Sequence, residues 1–303
     1  MSGAKRSFHA VLQFTNAAAM LGQLPALLEG ATRAALWVEP GLNSAVASRR
    51  LLLAMRAACP QVEWAVLGPK ESMVFFEMEP AVAAFIPVLA MQARRPGQPR
   101  LAHWWQARQQ MIKLGQLGMH AWVAVEYVEA AKYHTAKPGP SPLFATLAKR
   151  IARHHPGAPV LRCALASPVA LNLPAFAPLQ LGPSALARAT AMFRAWPPTV
   201  SKHVLVLGHS EEATVVLQAR HQHALTTLPA GAQALAVVLV HAPSMLVMRL
   251  QSNFPNWHFL NLAECLGVLA YADRVMGNAP WVTLLMGEMG RLDRMVLDKT
   301  HSQ

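Results

Sequence analysis

Acidic residues are scarce in this sequence, and aspartate is missing from the N-terminal domain that we predict below. Asp273 is the first aspartate, so a mechanism that needs an aspartate from that domain is excluded. Residues 1–183 contain 18 Lys and Arg and 8 Glu, which gives a formal charge of +10. Residues 184–303 contain 9 Lys and Arg and 7 Asp and Glu, which gives +2. Such a basic first half suits an anionic partner: a phosphorylated glycolipid, an acidic membrane surface or nucleic acid. A basic surface without a specific partner would have the same composition.

Cysteines and long apolar runs are also few. Cys59, Cys163 and Cys265 lie far apart, which argues against a disulfide framework or a cysteine zinc site and fits a reducing cytoplasm. No apolar run reaches the roughly 18 to 20 residues that cross a bilayer. No apolar stretch with a cleavage site follows Lys5 and Arg6, so we predict no signal peptide. We expect a cytoplasmic protein that can associate peripherally with the inner membrane.

Short apolar runs alternate with helical patterns along the chain, which is 53% hydrophobic. We predict strands at 34–39, 62–67, 84–88, 122–128, 160–166, 204–207, 236–240, 258–262 and 274–276. The pattern leaves open whether residues 9–14 form an extra strand. The alternation predicts an α/β protein whose mostly parallel sheets are covered by helices. Pro and Gly are frequent in 167–201, so we predict two Rossmann-like domains, 1–183 and 184–303, facing a cleft.

Candidate binding residues stand where these strands end, because ligands of open parallel sheets bind outside the carboxyl ends of the strands. They are Glu39, Gly41, Asn43, Ser44, Glu126, Gly208, His209, Ser210, His241, Gly277 and Asn278. The turn Gly208-His209-Ser210 is similar to a phosphate-binding turn at a helix start, although the following Glu211 and Glu212 would repel a diphosphate. Helix capping by Ser210 is the alternative interpretation.

Two other groups of residues are given structural interpretations. The histidine segments 154–155 and 221–223 lack partnering Cys or Asp at a recognised spacing, so we predict no metal and no cofactor. Trp104 and Trp105 stand at a spacing typical of a helix core, so we predict that they are buried.

Two longer segments carry a resemblance to a known family. Residues 49–88 read RRLLLAMRAACPQVEWAVLGPKESMVFFEMEPAVAAFIPV, and residues 259–290 read FLNLAECLGVLAYADRVMGNAPWVTLLMGEMG. The first resembles the opening of glycosyltransferase family 9, the heptosyltransferase-like enzymes, and the second resembles that family's donor-binding loop and helix. The resemblance implies a glycosyltransferase B type fold, with the acceptor on the N-terminal domain and a nucleotide-sugar on the C-terminal one.

The sequence departs from the family where chemistry is expected. Alignment on Pro60 puts Asn43-Ser44 where the family has a Gly-Asp pair whose Asp is the presumed base. In the donor loop Ala279 replaces an Asp, and only Gly277-Asn278 is retained. Glu39 is then the carboxylate best placed to act as the base, and the alternative interpretation is a surface or hinge glutamate before Pro40.

Two functions follow from the resemblance and its departures. The first is inverting transfer of a heptose-like sugar from a nucleotide-sugar to an anionic glycolipid or glycan, as in lipopolysaccharide biosynthesis. The second is a catalytically degenerate relative that binds a partner protein or a glycan. Nucleic-acid binding has no supporting motif.

Overall fold

The computed structural model describes residues 11–14, 17–92, 97–127, 141–165, 177–197, 199–241, 244–277 and 279–296. The chain divides into two compact units, one ending at residue 176 and the other beginning at residue 177. We call them the first and the second unit, and each is described by itself.

The first unit is built on a parallel sheet of six strands. They are β1 Leu12–Phe14, β2 Arg33–Val38, β3 Glu63–Gly68, β4 Val82–Pro87, β5 Ala121–Tyr127 and β6 Val160–Leu165. Their order in the sheet is β1-β6-β5-β2-β3-β4, and every neighbouring pair is parallel. The extra strand left open by the sequence is present at 12–14 and pairs with β6.

Four helices of the described residues accompany this sheet. They are α1 Ala17–Leu27, α2 Leu42–Ala58, α3 Arg100–Leu114 and α4 Pro142–His154, with short 3₁₀ segments at Lys70–Phe75 and Leu89–Met91. Helix α4 was not predicted, although it has a strong start signal. Ser141 accepts a hydrogen bond from the Phe144 N–H, and Pro142 stands at the first helical position.

One cluster of the core of the first unit lies between the central strands and the helices α3 and α4. Strand β2 is buried from Ala34 to Val38. Its side chains are all apolar over this range, as in parallel strands that are covered on both faces. Trp37 and Trp122 pack there with side chains from α3 and α4, namely Met111, Leu114, Phe144, Leu147 and Ile151. This packing places the end of β2 beside the beginning of α4.

The second unit repeats the plan with five parallel strands. They are β7 His203–His209, β8 Ala234–Leu239, β9 Trp257–Leu260, β10 Arg274–Met276 and β11 Met295–Val296, in the order β11-β10-β7-β8-β9. Its described helices are α5 Pro183–Phe193, α6 Thr214–Thr227, α7 Met245–Asn253, α8 Leu262–Tyr271 and α9 Pro280–Glu288. The predicted class, α/β with two mostly parallel sheets, is confirmed.

Each sheet has a point where its winding reverses. In the first sheet β2 lies between β3 and β5, and in the second sheet β7 lies between β8 and β10. Ligands of open α/β sheets bind at the carboxyl ends of the strands beside such a switch point. The residues that follow β2 and β7 are therefore the ones whose geometry matters for function.

Candidate functional site

Three aromatic rings meet at the carboxyl edge of the second sheet. His209 ends β7, and its Nδ1 lies 2.9 Å from Nε2 of His241, which follows β8, so one imidazole donates a hydrogen bond to the other. The centroids of these two rings are 4.9 Å apart in a stacked arrangement. The ring centroid of Trp281, in α9, lies 5.0 Å from that of His209. The structure thus brings two predicted residues together and adds an indole.

The electrostatics of this cluster favour a neutral His209. Burial lowers the pKa of its imidazole, and the neighbouring His241 lowers it further. Glu212 and Glu211 act in the opposite direction, and Arg220 adds to the lowering. A neutral ring offers one donor and one acceptor, whereas a protonated ring offers two donors, so the cluster changes its hydrogen-bonding capacity with its charge.

A bulge at the end of β7 connects this cluster to an ion pair. The register between β7 and β8 shifts between Val206 and Gly208, which takes Leu207 out of the regular ladder. The Leu207 carbonyl instead accepts a hydrogen bond of 2.7 Å from the Arg220 guanidinium of α6. Arg220 also pairs with Glu212 at 2.7 Å, and the other oxygen of Glu212 accepts the His209 backbone N–H at 2.8 Å. A carboxylate therefore already holds the N–H that an anionic ligand of this turn would use.

Gly208 is the position that makes this arrangement possible. Its φ is +146°, a conformation that side-chain-bearing residues rarely adopt. A Cβ atom there would collide with the Glu212 carboxylate and the Arg220 guanidinium. The close approach of these two charged groups to the backbone thus depends on glycine.

The remaining donor-side residues have different surroundings. Helix α6 begins at Thr214, with Ala213 as its N-cap, so the interpretation of Ser210 as the helix cap is wrong. Ser210 is buried, and its N–H donates to the Leu239 carbonyl at 2.9 Å, which ties the turn to β8. Gly277 follows β10, and a Cβ there would lie 3.1 Å from Val206 Cβ, so a substitution would disturb strand packing as well as any ligand. Asn278 lies outside the described residues.

At the first switch point, Glu39 comes directly after β2 and is half-buried. Its Oε1 accepts a hydrogen bond of 2.7 Å from the indole N–H of Trp37, two residues earlier on the same face of the strand. The same oxygen accepts one of 2.5 Å from the hydroxyl of Ser141, the N-cap of α4. Glu39 is thus a carboxylate at the expected strand end, and it also joins β2 to α4.

The acceptor-side loop is shorter than predicted. Gly41 has φ 110° and is the N-cap of α2, with no atom within 4 Å of the position a Cβ would take. Asn43 and Ser44 belong to the first turn of α2 rather than to a loop, and Ser44 is buried. Among the described residues no side chain caps this helix start, and the first turn of α2 has no acidic residue. The start of α2 lies at the same end of the sheet as Glu39, since both follow the carboxyl end of β2.

Two further structural observations bear on the ligand class. Among the residues that the structure describes, no three His, Cys, Asp or Glu side chains gather in a group that could hold a metal ion. In the same residues, no helix has both the length and the apolar character that crossing a bilayer requires.

Comparisons with known proteins place the fold. No protein-family model matches the sequence, and no curated protein does either. Among solved structures, the chain is similar to a glycosyl transferase of family 9 from Veillonella parvula, with TM-score 0.52, 10% identity, and coverage of 86% of this chain and 79% of that one. It is also similar to the ADP-heptose lps heptosyltransferase II of E. coli, with TM-score 0.50, 13% identity, and coverage of 86% and 83%. The predicted resemblance is confirmed for the fold: the chain has the α/β fold of heptosyltransferase-like enzymes.

Sequence reasoning missed three residues that complete the candidate site. They are Trp281, Arg220 and Ser141, none of which is among the candidates that the sequence offers. A Ser-Pro pair before an apolar helix was a usable signal for Ser141. Nothing in the sequence marks Arg220, because its approach to Gly208 depends on the orientation of α6 and on the bulge in β7.

Proposed function

We propose that this protein is a glycosyltransferase that binds a nucleotide-sugar at the carboxyl edge of its second sheet. The observation that carries the proposal is the convergence of Gly208, His209 and His241 with Arg220 beside the switch point of that sheet. In such enzymes the leaving diphosphate must be stabilised by positive charge and by hydrogen-bond donors. Arg220, the N–H of His209 and the two imidazoles are groups of that kind.

The ion pair at Gly208 gives the proposed donor site a defined resting state. Glu212 holds the His209 N–H and the Arg220 guanidinium, and an incoming diphosphate takes over both partners while the carboxylate withdraws. The partly exposed position of the pair fits this exchange, since about 41% of the Arg220 side chain and 28% of the Glu212 side chain are accessible. Donor binding then includes the free energy needed to displace Glu212.

The first unit is proposed to hold the acceptor. Glu39 takes the proton from the acceptor hydroxyl while that oxygen attacks the anomeric carbon and the bond to the diphosphate breaks, with inversion. The formal charge of +10 on residues 1–183 supports an anionic glycolipid or glycan as acceptor, lipopolysaccharide being the specific case. One structure that shares the fold is named for ADP-heptose and lps, so a heptose-like sugar is our proposed donor group. Three free, buried cysteines support a cytoplasmic location.

A second candidate, a degenerate relative that binds a partner protein or a glycan without transfer, is favoured by two observations. Glu39 already accepts hydrogen bonds from Trp37 and Ser141, which accounts for its presence without catalysis. Glu212 also stands where a diphosphate would bind. Measurements of binding and of turnover separate the two candidates.

Donor binding is tested by thermal unfolding in the presence of ADP, UDP, GDP and their sugar derivatives. A ligand at 100 times its dissociation constant stabilises the protein by about 2.7 kcal/mol. Arg220→Gln should weaken nucleotide binding by about tenfold or more, since a charged hydrogen bond contributes about 1.5–3 kcal/mol. Glu212→Gln should strengthen binding, because it keeps an acceptor for the His209 N–H but removes the competing charge.

Arg249→Gln is the matched control, since Arg249 is an exposed arginine of α7 in the same unit, and it should bind nucleotide like the wild type. If no nucleotide stabilises the wild-type protein, the transferase proposal fails and the binding relative takes its place.

Turnover is tested with Glu39→Gln. The variant should lower the transfer rate by about 10²–10⁴-fold with donor affinity nearly unchanged, because a glutamine amide cannot accept the proton. Glu29 is an exposed glutamate in the turn after α1, and Glu29→Gln should transfer at the wild-type rate. Equal rates for Glu39→Gln and wild type would remove Glu39 from the proposed chemistry.

A further inference from the structure

The outer face of α3 carries large apolar side chains in solvent. Leu101 is 80% exposed, Trp104 56% and Trp105 53%, so the prediction that the two tryptophans are buried is wrong. Arg108 is exposed beside them, with its guanidinium carbon 5.4 Å from the centroid of the Trp104 ring and 6.0 Å from that of Trp105. We call Leu101, Trp104, Trp105 and Arg108 the outer stripe.

The outer stripe follows the spacing of one helical face. Its members stand at i, i+3, i+4 and i+7, so they form a continuous surface along the first two turns of α3. Further along, α3 is anchored through Met111 and Leu114, which pack in the core of the first unit. The tryptophan spacing was misleading because Met111, seven residues after Trp104 on the same helical line, is covered by the core, whereas Trp104 is not.

The helix is held firmly enough to present this face. The Gln110 side chain donates to the Pro87 carbonyl at 2.7 Å and accepts the Leu89 N–H at 2.7 Å, which ties α3 to the end of β4 and the segment after it. Nearer the start, Gln98 donates to Gln106 at 3.0 Å. The exposed rings are therefore part of an ordered element with fixed contacts.

The segment of the chain that carries the outer stripe has charged side chains of one sign. Helix α3 contains Arg100, Arg108 and Lys113, all exposed, and no acidic residue. In the sequence, no Asp or Glu occurs between Glu79 and Glu126, whereas 5 Lys and Arg do. A partner of this face therefore has negative charge together with a region that takes up indole rings.

We propose that the outer stripe of α3 docks the protein on a bilayer that contains anionic phospholipids. Indole rings partition at the boundary between head groups and acyl chains, and arginine next to them pairs with lipid phosphates. A bilayer takes up aromatic and cationic groups over the whole length of a convex helix, whereas a protein partner would need a matching groove with acidic side chains. The inference does not depend on the transferase proposal, since it uses no residue of that site.

The test is co-sedimentation of the full chain with vesicles of equimolar phosphatidylglycerol and phosphatidylcholine, compared with pure phosphatidylcholine. The wild type should bind the anionic vesicles more tightly, and the binding should weaken as salt is raised. The double variant Trp104→Ser/Trp105→Ser should bind at least about tenfold more weakly, because it removes most of the apolar area of the stripe. Arg108→Gln should weaken binding about fivefold, the share expected for one basic residue near an anionic surface.

Two exposed residues of the second unit provide matched controls. Val215→Ser removes an apolar side chain that is 68% exposed, and Arg249→Gln removes an exposed positive charge. Both should bind vesicles like the wild type. Thermal unfolding verifies that every variant is folded. We expect all of them to fold, because substitutions of exposed side chains usually change stability little.

Three results would overturn the proposal. They are no binding of the wild type to anionic vesicles, equal binding to neutral and anionic vesicles, and unchanged binding of the double tryptophan variant. In the first case, concentration-dependent self-association that the tryptophan variant loses would assign the stripe to contacts between copies of the chain.

Discussion

A single carboxylate oxygen at the end of β2 serves two hydrogen-bond donors. Glu39 Oε1 accepts from the Trp37 indole at 2.7 Å and from the Ser141 hydroxyl at 2.5 Å. Trp37 is fully buried, so its N–H depends on a protein acceptor. Glu39 thus stabilises the junction of β2 and α4 whether or not it also takes part in chemistry.

This role predicts different stabilities for two substitutions of Glu39. Glu39→Ala leaves the buried Trp37 N–H without its acceptor and should lower the free energy of unfolding by about 1–3 kcal/mol. Glu39→Gln keeps a carbonyl oxygen at the same place and should cost less than about 1 kcal/mol. Urea unfolding measures both, with Glu29→Ala as an exposed control expected within about 0.5 kcal/mol of wild type. Equal losses for the two Glu39 variants would contradict the assigned role.

At the scale of elements, α5 and α8 pack unusually closely. The contact lies at Gly267 in α8, where a Cβ atom would collide with the backbone carbonyl of Ala185 in α5. A backbone atom cannot move aside as the end of a flexible side chain can, so the two helices would have to separate. Glycine in the middle of α8 is therefore explained by packing, although it disfavours the helix by about 1 kcal/mol relative to alanine.

Two glycine-to-alanine variants should consequently change stability in opposite directions. Gly267→Ala should destabilise the protein by about 1–3 kcal/mol, since overpacking outweighs the gain in helix propensity. Gly287→Ala, in α9, meets only Leu292 at 3.9 Å and should stabilise by about 0.5–1 kcal/mol. Thermal unfolding of both variants and the wild type is sufficient for the comparison. A stable Gly267→Ala protein would mean that α5 and α8 separate at little cost.

At the scale of the whole molecule, the described histidines with a lowered pKa lie in the second unit. Burial is the main cause of a lowered pKa for His203, His209, His221 and His258. When such a pKa lies below its ordinary value of 6.5, the unfolded chain binds the proton more readily than the folded one. The contribution of these groups is fully present above pH 6.5 and decreases as the pH falls toward their folded values.

We therefore expect the protein to lose stability when the pH is lowered from about 7.5 to about 5.5. Urea unfolding at several pH values in this window measures the loss. His209→Gln should make the dependence on pH shallower, because one of the contributing groups is gone. Stability that stays constant or rises as the pH falls through this window would contradict the direction of these shifts.

Much of the fold and part of the candidate site could be predicted from the sequence. The periodicity of apolar residues located β2 and β7, and the rule that ligands bind at strand ends singled out Glu39, Gly208 and His209. Helix α6 begins at Thr214 and not directly after Ser210, because the chain continues from β7 through a turn that no propensity marks. Element boundaries depend on tertiary hydrogen bonds, such as that of the Ser210 N–H to β8.

What the sequence determines by itself is the alternation of strands and helices, the absence of aspartate from its first 272 positions, and the charge of +10 on residues 1–183. These are properties of residue type and order, and they set the fold class without any knowledge of contacts. Only the tertiary structure decided that Arg220 and Glu212 meet over Gly208, and that Trp104 and Trp105 face solvent. Such contacts depend on the orientation of each helix on its sheet, and that orientation arises from the packing of all its neighbours together.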